Sequence, residues 1–210
     1  IAAITREDLL AFQRDWLRPD NATLIVVGDA TRAGVLPVLE RHFGGWRPPA
    51  SPRPAKPIPQ ANRPTAARVY LIDRPDAVQS SILVGLVAPP SAAPNSIEMD
   101  TMNDVLGGTF TSRLNMNLRE DKHWSYGVRS DLPDALGERP WLLSAPVQAD
   151  RTVEAMRELK REIEEFVGAR PATGAEIRKI MNRDVRTLSG RDETNAAVAG
   201  AIAEMIVFDR

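Results

Sequence analysis

Apolar residues recur along the chain with two different spacings, which predict helices and strands. Leu9, Phe12 and Trp16 lie three or four positions apart and predict a first helix after the N-cap Thr5. A run rich in β-branched residues at positions 22–29 instead predicts a buried strand. The same two patterns predict further helices at residues 31–44, 96–107, 112–121, about 150–167, from 173 and from 192, and further strands at residues 67–73, 79–89, 125–132 and 139–148.

A proline-rich stretch divides this series of elements. Residues 47–64 contain seven prolines and show no apolar periodicity. Because proline fixes φ and lacks a backbone donor, this stretch cannot lie inside a sheet and is predicted to be an extended linker. The predicted organisation is therefore a helix-strand-helix segment at residues 1–46, the linker, and a larger domain at residues 65–210.

The order of the elements indicates the fold class. After the linker the strands come first, and helices gather in the last third of the chain. This order favours an α+β fold, a two-layer α/β sandwich with a mostly antiparallel sheet and helices packed on one face. The strand at residues 22–29 is predicted to pair with the sheet of residues 65–149, in the same molecule or a neighbouring one, because an apolar strand without a partner leaves an exposed edge.

Composition and charge exclude several classes of function. The 210 residues are 43% apolar and 26% charged with a net charge of -1, which is typical of globular proteins. Acids match the basic residues and no basic run stands out, so nucleic acid is not expected as a partner. No apolar run reaches the about 18 residues that span a bilayer. The chain has no cysteine, and the junction at residues 28–34 lacks a nucleotide-binding glycine motif.

The most distinctive stretch is LGGTFTSRLNMNLREDKHWSYGV at residues 106–128. It resembles the signature of the second domain of the pitrilysin/insulinase family of metallopeptidases, the inverzincins. The opening TREDLLAFQRDWLRPDNATLIVVGD is similar to the end of that family's first domain, and DAVQSSILVG resembles the strand that begins the second. The resemblance covers nearly the whole chain and implies a processing-peptidase-like fold. It also leads us to expect that this chain is a fragment cut at both ends.

The chain departs from the active members of the family at the zinc site. Those members carry H-x-x-E-H, with two histidine ligands and a glutamate base. His42 and His123 are far apart here, and neither begins such a motif. His123 follows Glu120 by three residues, but two ligands rarely hold a metal, so we expect His123 to be solvated. We therefore expect no cofactor in this chain, zinc in a separate N-terminal domain, and no peptidase activity of this chain alone.

The resemblance implies a substrate clamp at Arg119 and Tyr126. In the family, an arginine and a tyrosine at this spacing reach the zinc site of the first half, hold the substrate backbone and help stabilise the tetrahedral intermediate. A guanidinium is a rigid fork of donors, and a tyrosine hydroxyl can donate to a carbonyl oxygen or to an oxyanion. The residues alone also fit a structural role, in which Arg119 pairs with Glu120, Asp121 or a carbonyl and Tyr126 belongs to the core.

Three further residues are predicted to bind substrate. Gln79 lies at the start of a strand, where the backbone can pair with a peptide. Gly107 and Gly108 either end a helix and permit close packing or form a flexible substrate loop. Trp124 is expected to pack at the turn.

Two functions follow from the resemblance. The first is the substrate-binding second domain of a zinc metallopeptidase, whose partners are an H-x-x-E-H domain or a partner peptidase subunit, and a peptide. The second is a non-catalytic or structural assembly subunit, like the respiratory-complex core proteins that share this fold. The presence of both Arg119 and Tyr126 favours the first. Full-length chains are expected to form homo- or heterodimers, and bacterial relatives favour the periplasm.

Overall fold

The structure is a computed structural model that describes residues 3–208. Its α-helices are α1 Arg6–Trp16, α2 Arg32–Phe43, α3 Ser96–Asn103, α4 Arg113–Asn115, α5 Thr152–Val167, α6 Gly174–Leu188 and α7 Asn195–Phe208. Its strands are β1 Gln79–Ala88, β2 Arg129–Asp131 and β3 Arg139–Gln148. Two π-helical turns, Asp104–Gly108 and Met116–Asp121, and two 3-10 turns, Pro19–Asn21 and Ala149–Arg151, complete the helical segments of residues 3–208. The chain forms two compact units, one built from Pro59 to Gly190 and the other from the segments up to Ile58 and from Arg191 onward.

The strands of the Pro59–Gly190 unit form an antiparallel sheet in the order β1-β3-β2. β1 and β3 pair along their whole length, from Gln79 opposite Gln148 to Ala88 opposite Arg139. Alternation along β3 buries one face of the sheet and leaves the other open, as expected for a sheet covered on one side. The side chains buried on the covered face of β3 are Arg139, Trp141, Leu143, Ala145 and Val147.

Helices cover that buried face. Ala155, Leu159 and Phe166 of α5 share one side of the helix and join the core. Leu114 and Leu118, from the segment after α3, complete its centre and are almost fully buried. The helices therefore lie on one face of an antiparallel sheet, and the α+β sandwich predicted from the sequence is confirmed.

The other unit is helical in the residues that the structure describes. α1 begins with the predicted N-cap, since Thr5 and Asp8 form a reciprocal capping box. Arg18 is buried just after α1, forms an ion pair of 2.5 Å with Asp20 and donates a hydrogen bond of 3.0 Å to the carbonyl of Ser51. These contacts attach the end of the helix to the start of the proline-rich stretch.

Two predicted strands are wrong. Residues 22–29 and 67–73 form no strand, and the sheet described for residues 3–208 consists of β1, β2 and β3 alone. The predicted pairing of residues 22–29 with the sheet is therefore wrong within this chain. An apolar run becomes a strand only where a neighbour supplies hydrogen bonds. Without one, Tyr70 and Leu71 are 79% and 92% exposed.

Two predicted helices are shorter than the apolar pattern indicates. The helix predicted at 96–107 is α-helical only to Asn103 and continues as the first π turn. The helix predicted at 112–121 is one α turn followed by the second π turn. Each π turn widens the helix by one residue and rotates the side chains that follow. The strand predicted at 125–132 is reduced to β2 and one isolated bridge between Ser125 and Val147.

A half-buried arginine joins α4 to the corner between α5 and α6. The Nε and Nη2 atoms of Arg113 each lie 2.7 Å from a carboxylate oxygen of Glu176. Arg113 also donates to the carbonyls of Arg170 and Pro171, and its guanidinium lies 5.1 Å from the ring centroid of Phe166. The Arg113 guanidinium, with a smaller contribution from the hydrogen bonds of Thr173, lowers the pKa of Glu176 from 4.5 to about 2.

Replacing Arg113 with alanine should destabilise this unit strongly. The change leaves Glu176 and two carbonyls without their donor, so we expect the free energy of unfolding to fall by about 3 kcal/mol. Urea unfolding followed by tryptophan fluorescence measures it. Arg183→Ala is the matched control: Arg183 pairs with Asp104 and Asp184 at the surface, and its loss should cost no more than about 1 kcal/mol. Equal losses in the two variants would contradict a central role of Arg113.

The ion pair between Arg113 and Glu176 should also make the stability of this unit depend on pH. Because folding lowers the pKa of Glu176, its stabilisation is complete above pH 4.5 and is lost as the pH falls toward about 2. We expect the urea midpoint to decrease across this window, and to decrease less in Glu176→Gln, which lacks the charge at every pH. Parallel pH profiles for the two proteins would show that other carboxylates dominate.

Candidate functional site

A cleft of about 550 Å³ lies where residues 107–119 of the helical layer meet β2 and β3. One wall is the end of the first π turn and the loop after it, residues 107–110, and the other is the segment 126–129 leading into β2. Arg119 lies between these walls, while Ser144 and Pro146 of β3 line the cleft from the sheet. The structure therefore brings the predicted clamp residues together with both predicted glycines.

Arg119 is held between two aromatic rings. Its Cζ atom lies 4.5 Å from the ring centroid of Phe110 and 5.2 Å from that of Tyr126. Its Nε atom is 3.2 Å from a carboxylate oxygen of Glu120, as the structural role predicted. Among residues 3–208, no hydrogen bond joins either terminal guanidinium nitrogen to another group of the protein. Stacking on aromatic faces thus orients the guanidinium and leaves its outer donors available.

Tyr126 projects from an anchored backbone. Its side chain is 85% exposed, so the alternative that placed it in the core is wrong. The residues on either side are tied to β3: the hydroxyl of Ser125 donates to the carbonyl of Pro146 at 2.5 Å and accepts from the amide of Gly127 at 3.1 Å. The tyrosine hydroxyl is therefore presented to solvent from a fixed position.

Asn115 connects the two walls of the cleft. Its side chain is 3% exposed, donates through Nδ2 to the carbonyl of Phe110 at 2.6 Å, and accepts through Oδ1 from the amide of Val128 at 2.9 Å. The sequence analysis missed both Asn115 and Phe110. Phe110 lies inside the motif that carries the resemblance, which is the signal that could have found it. Asn115 lies inside the same motif, but nothing in the sequence indicates that its amide joins residues 110 and 128.

The two glycines allow close packing at the base of the cleft. A Cβ atom on Gly107 would overlap the hydroxyl of Ser130, and one on Gly108 would overlap the carboxylate of Asp104. The hydroxyl of Thr109 bonds to the carbonyl of Asp104 at 3.0 Å. This geometry supports the packing alternative for Gly107 and Gly108 over the flexible loop, and their contact with substrate stays a prediction.

The other predicted residues lie around the cleft. Gln79 begins β1, pairs with Gln148 and does not line the cleft, so its substrate role stays a prediction. Trp124 is half-buried and packs against the core, which confirms its expected place. His123 is exposed and has a positive φ of 57°. Its Nδ1 atom lies 3.0 Å from the carbonyl of Arg119, and because a carbonyl oxygen only accepts, this nitrogen donates the hydrogen bond.

The charge that lines the cleft is positive. Arg119 and Arg129 both line it, whereas their acidic partners Glu120 and Asp131 do not. Carbonyl oxygens and carboxylates are the groups that such a lining can bind.

Residues 3–208 contain no metal site. No group of three or more histidine or acidic side chains within that range is placed to hold an ion. The residues present therefore do not fit zinc, which needs at least three protein ligands. None of the described helices is long and apolar enough to cross a membrane.

Curated relatives of this chain are named as zinc proteases. "Uncharacterized zinc protease Rv2782c" from Mycobacterium tuberculosis is 26% identical over 133 residues, which are 63% of this chain and 30% of that protein. "Zinc protease PqqE" from Helicobacter pylori is 22% identical over 205 residues, which are 97% of this chain and 46% of that protein. The chain thus spans less than half the length of these relatives.

Solved structures share the fold. A peptidase M16 inactive domain from Pseudomonas fluorescens has a TM-score of 0.84 at 22% identity, covering 100% of this chain and 49% of that one. A protease from Helicobacter pylori has a TM-score of 0.87 at 20% identity, covering 99% and 50%. The periplasmic protease PqqL from Escherichia coli has a TM-score of 0.69 at 20% identity, covering 99% and 23%.

The family comparison covers most of the chain. Residues 3–183 match the protein family described as "Peptidase M16 inactive domain". The matched range includes every residue of the cleft, and the match confirms the resemblance carried by the motif at 106–128. The chain therefore belongs to the Peptidase M16 inactive domain family, the non-catalytic second domain of zinc protease-like proteins.

Proposed function

We propose that this domain holds extended peptides in the cleft for hydrolysis at the zinc site of a catalytic M16 domain. The observation that carries the proposal is the state of Arg119, which is stacked between two rings while its terminal nitrogens bond to no described group of the protein. An arginine used only for structure would have its donor fork occupied, as in Arg113. The family to which the chain belongs supports the proposal.

The chemistry follows from the two side chains. The guanidinium of Arg119 can donate to a peptide carbonyl in the ground state and to the oxyanion that forms from it. The hydroxyl of Tyr126 can donate to the same oxygen. Because the Tyr126 ring also covers Arg119, the two donors lie close together, and donors held in place need little reorganisation as charge develops.

Zinc and the general base belong to the proposed partner. The relatives from Mycobacterium tuberculosis and Helicobacter pylori are named zinc proteases, and this chain spans less than half of their length. We infer that an H-x-x-E-H domain, on the same polypeptide or on a partner subunit, supplies a zinc-bound water and a glutamate base. This chain would then contribute substrate binding and oxyanion stabilisation.

Conservative variants of the clamp in the full-length protein test this proposal. Tyr126→Phe keeps the ring that covers Arg119 and removes only the hydroxyl. Loss of one oxyanion donor should lower kcat about 100-fold with little change in KM. Arg119→Lys keeps the charge and loses the planar fork, so kcat/KM should fall at least as much.

Zinc content and an arginine outside the cleft provide the controls. Arg178→Lys changes an exposed arginine on α6 and should leave kcat/KM within about twofold. Bound zinc should be the same in all variants. The proposal fails if both clamp variants retain wild-type kcat/KM in a protein whose activity a chelator abolishes.

We infer that the full-length protein works in the periplasm. The support is a structural relative described as the periplasmic protease PqqL. Cell fractionation of the native host should recover the protein with periplasmic markers. Recovery with a cytosolic marker enzyme, under conditions that release a periplasmic control completely, would exclude this location.

A further inference from the structure

Phe110 is an exposed aromatic residue on an anchored loop. Its side chain is 60% exposed, yet its carbonyl accepts the bond from Asn115. The next residue, Thr111, accepts a bond of 2.7 Å from Lys179, and Thr109 is bonded to Asp104. A loop held at three successive residues could turn its phenylalanine toward the core, but this one presents it to the cleft.

One face of the Phe110 ring contacts Arg119, and the rest of the ring is exposed and could contact a ligand. One face covers the guanidinium of Arg119 at 4.5 Å, and the exposed remainder faces solvent in the same cleft. Gly108 and Pro146 lie around the cleft without polar side chains. A peptide residue whose carbonyl meets Arg119 would therefore place its side chain within reach of an apolar surface.

We propose that Phe110 determines specificity, receiving a large apolar side chain of the peptide whose backbone Arg119 holds. The inference rests on the proposed function, because it takes the position of the peptide from Arg119. Phe110 lacks a polar group, so its contribution is apolar contact and stacking, in contrast to that of Tyr126. Burying the exposed part of the ring against an aliphatic or aromatic side chain provides the attraction.

This role differs measurably from simple support of Arg119. If Phe110 only orients the guanidinium of Arg119, replacing it with alanine raises the Kd of every peptide by the same factor. If it also receives a side chain, the loss of affinity is larger for peptides with Phe or Leu at that position than for the peptide with Ala. A comparison of peptides that differ at one position therefore separates the two roles.

The test is equilibrium binding to the full-length protein together with its catalytic domain, with a chelator present to prevent hydrolysis. The probes are fluorescently labelled peptides of one length in which a single position, moved along the peptide, is Phe, Leu or Ala. The variants are Phe110→Ala, Phe110→Tyr as the conservative replacement, and Leu136→Ala as a control on an exposed apolar residue that does not line the cleft.

At one position of the peptide, the wild type should bind Phe and Leu more tightly than Ala. Phe110→Ala should reduce that preference about two- to tenfold, in addition to a weakening common to all three peptides that follows from the loss of the ring over Arg119. Phe110→Tyr and Leu136→Ala should keep the preference. An unchanged preference at every position, or an equal loss for all three peptides, overturns the inference.

Arg119→Ala distinguishes this inference from the function beneath it. If the clamp exists, this variant weakens the binding of all three peptides, because Arg119 holds the backbone that they share. If Arg119→Ala changes no Kd, the proposed function fails and the inference fails with it. If Arg119→Ala weakens binding as expected but Phe110→Ala binds all three peptides like the wild type, the inference about Phe110 is overturned and the proposed function stands.

Discussion

The arrangement of the cleft depends on two hydrogen bonds made by one buried amide. Asn115 donates to the carbonyl of Phe110 and accepts from the amide of Val128, which belong to opposite walls. A carboxylate of the same shape could not donate, and an aliphatic side chain could do neither. The amide is buried, so a backbone group that lost its hydrogen bond to Asn115 would not regain one from water, and this loss would be unfavourable. The two hydrogen bonds therefore fix the distance between the two walls. The stacking of Arg119 between Phe110 and Tyr126 requires that separation.

Two arginines of the same motif lie in different environments. Arg113 is mostly buried, and carboxylate and carbonyl oxygens occupy its donors, so its charge is neutralised within the fold. Arg119, six residues later, is oriented by ring faces, which attract the cation without occupying its donors. An aromatic sandwich can therefore fix a guanidinium and keep it able to bind a ligand, which a bidentate ion pair cannot do.

Local patterns in the sequence predicted the regular elements well. β3 at residues 139–148 was predicted with its observed bounds, and the capping box at Thr173 begins α6 where the sequence placed it. Residues 22–29 and 67–73 failed because a strand depends on a partner that its own sequence does not specify. Arg119 and Tyr126 were found through the motif. Phe110 and Asn115 were not, since their roles arise from contacts between segments whose separation the π turns set.

These departures from regular structure are concentrated where the candidate site lies. Both π turns, the overlap-sensitive glycines and the positive φ of His123 fall between residues 104 and 123. A π turn weakens local hydrogen bonding, so a chain under selection for stability alone would remove it. Here the turn at Met116–Asp121 contains Arg119, whose guanidinium lies over the rings of Phe110 and Tyr126. The core beneath, with Leu114 and Leu118 fully buried, stabilises this irregular segment. The irregular segment thus lines the cleft, and the regular sandwich below it provides stability.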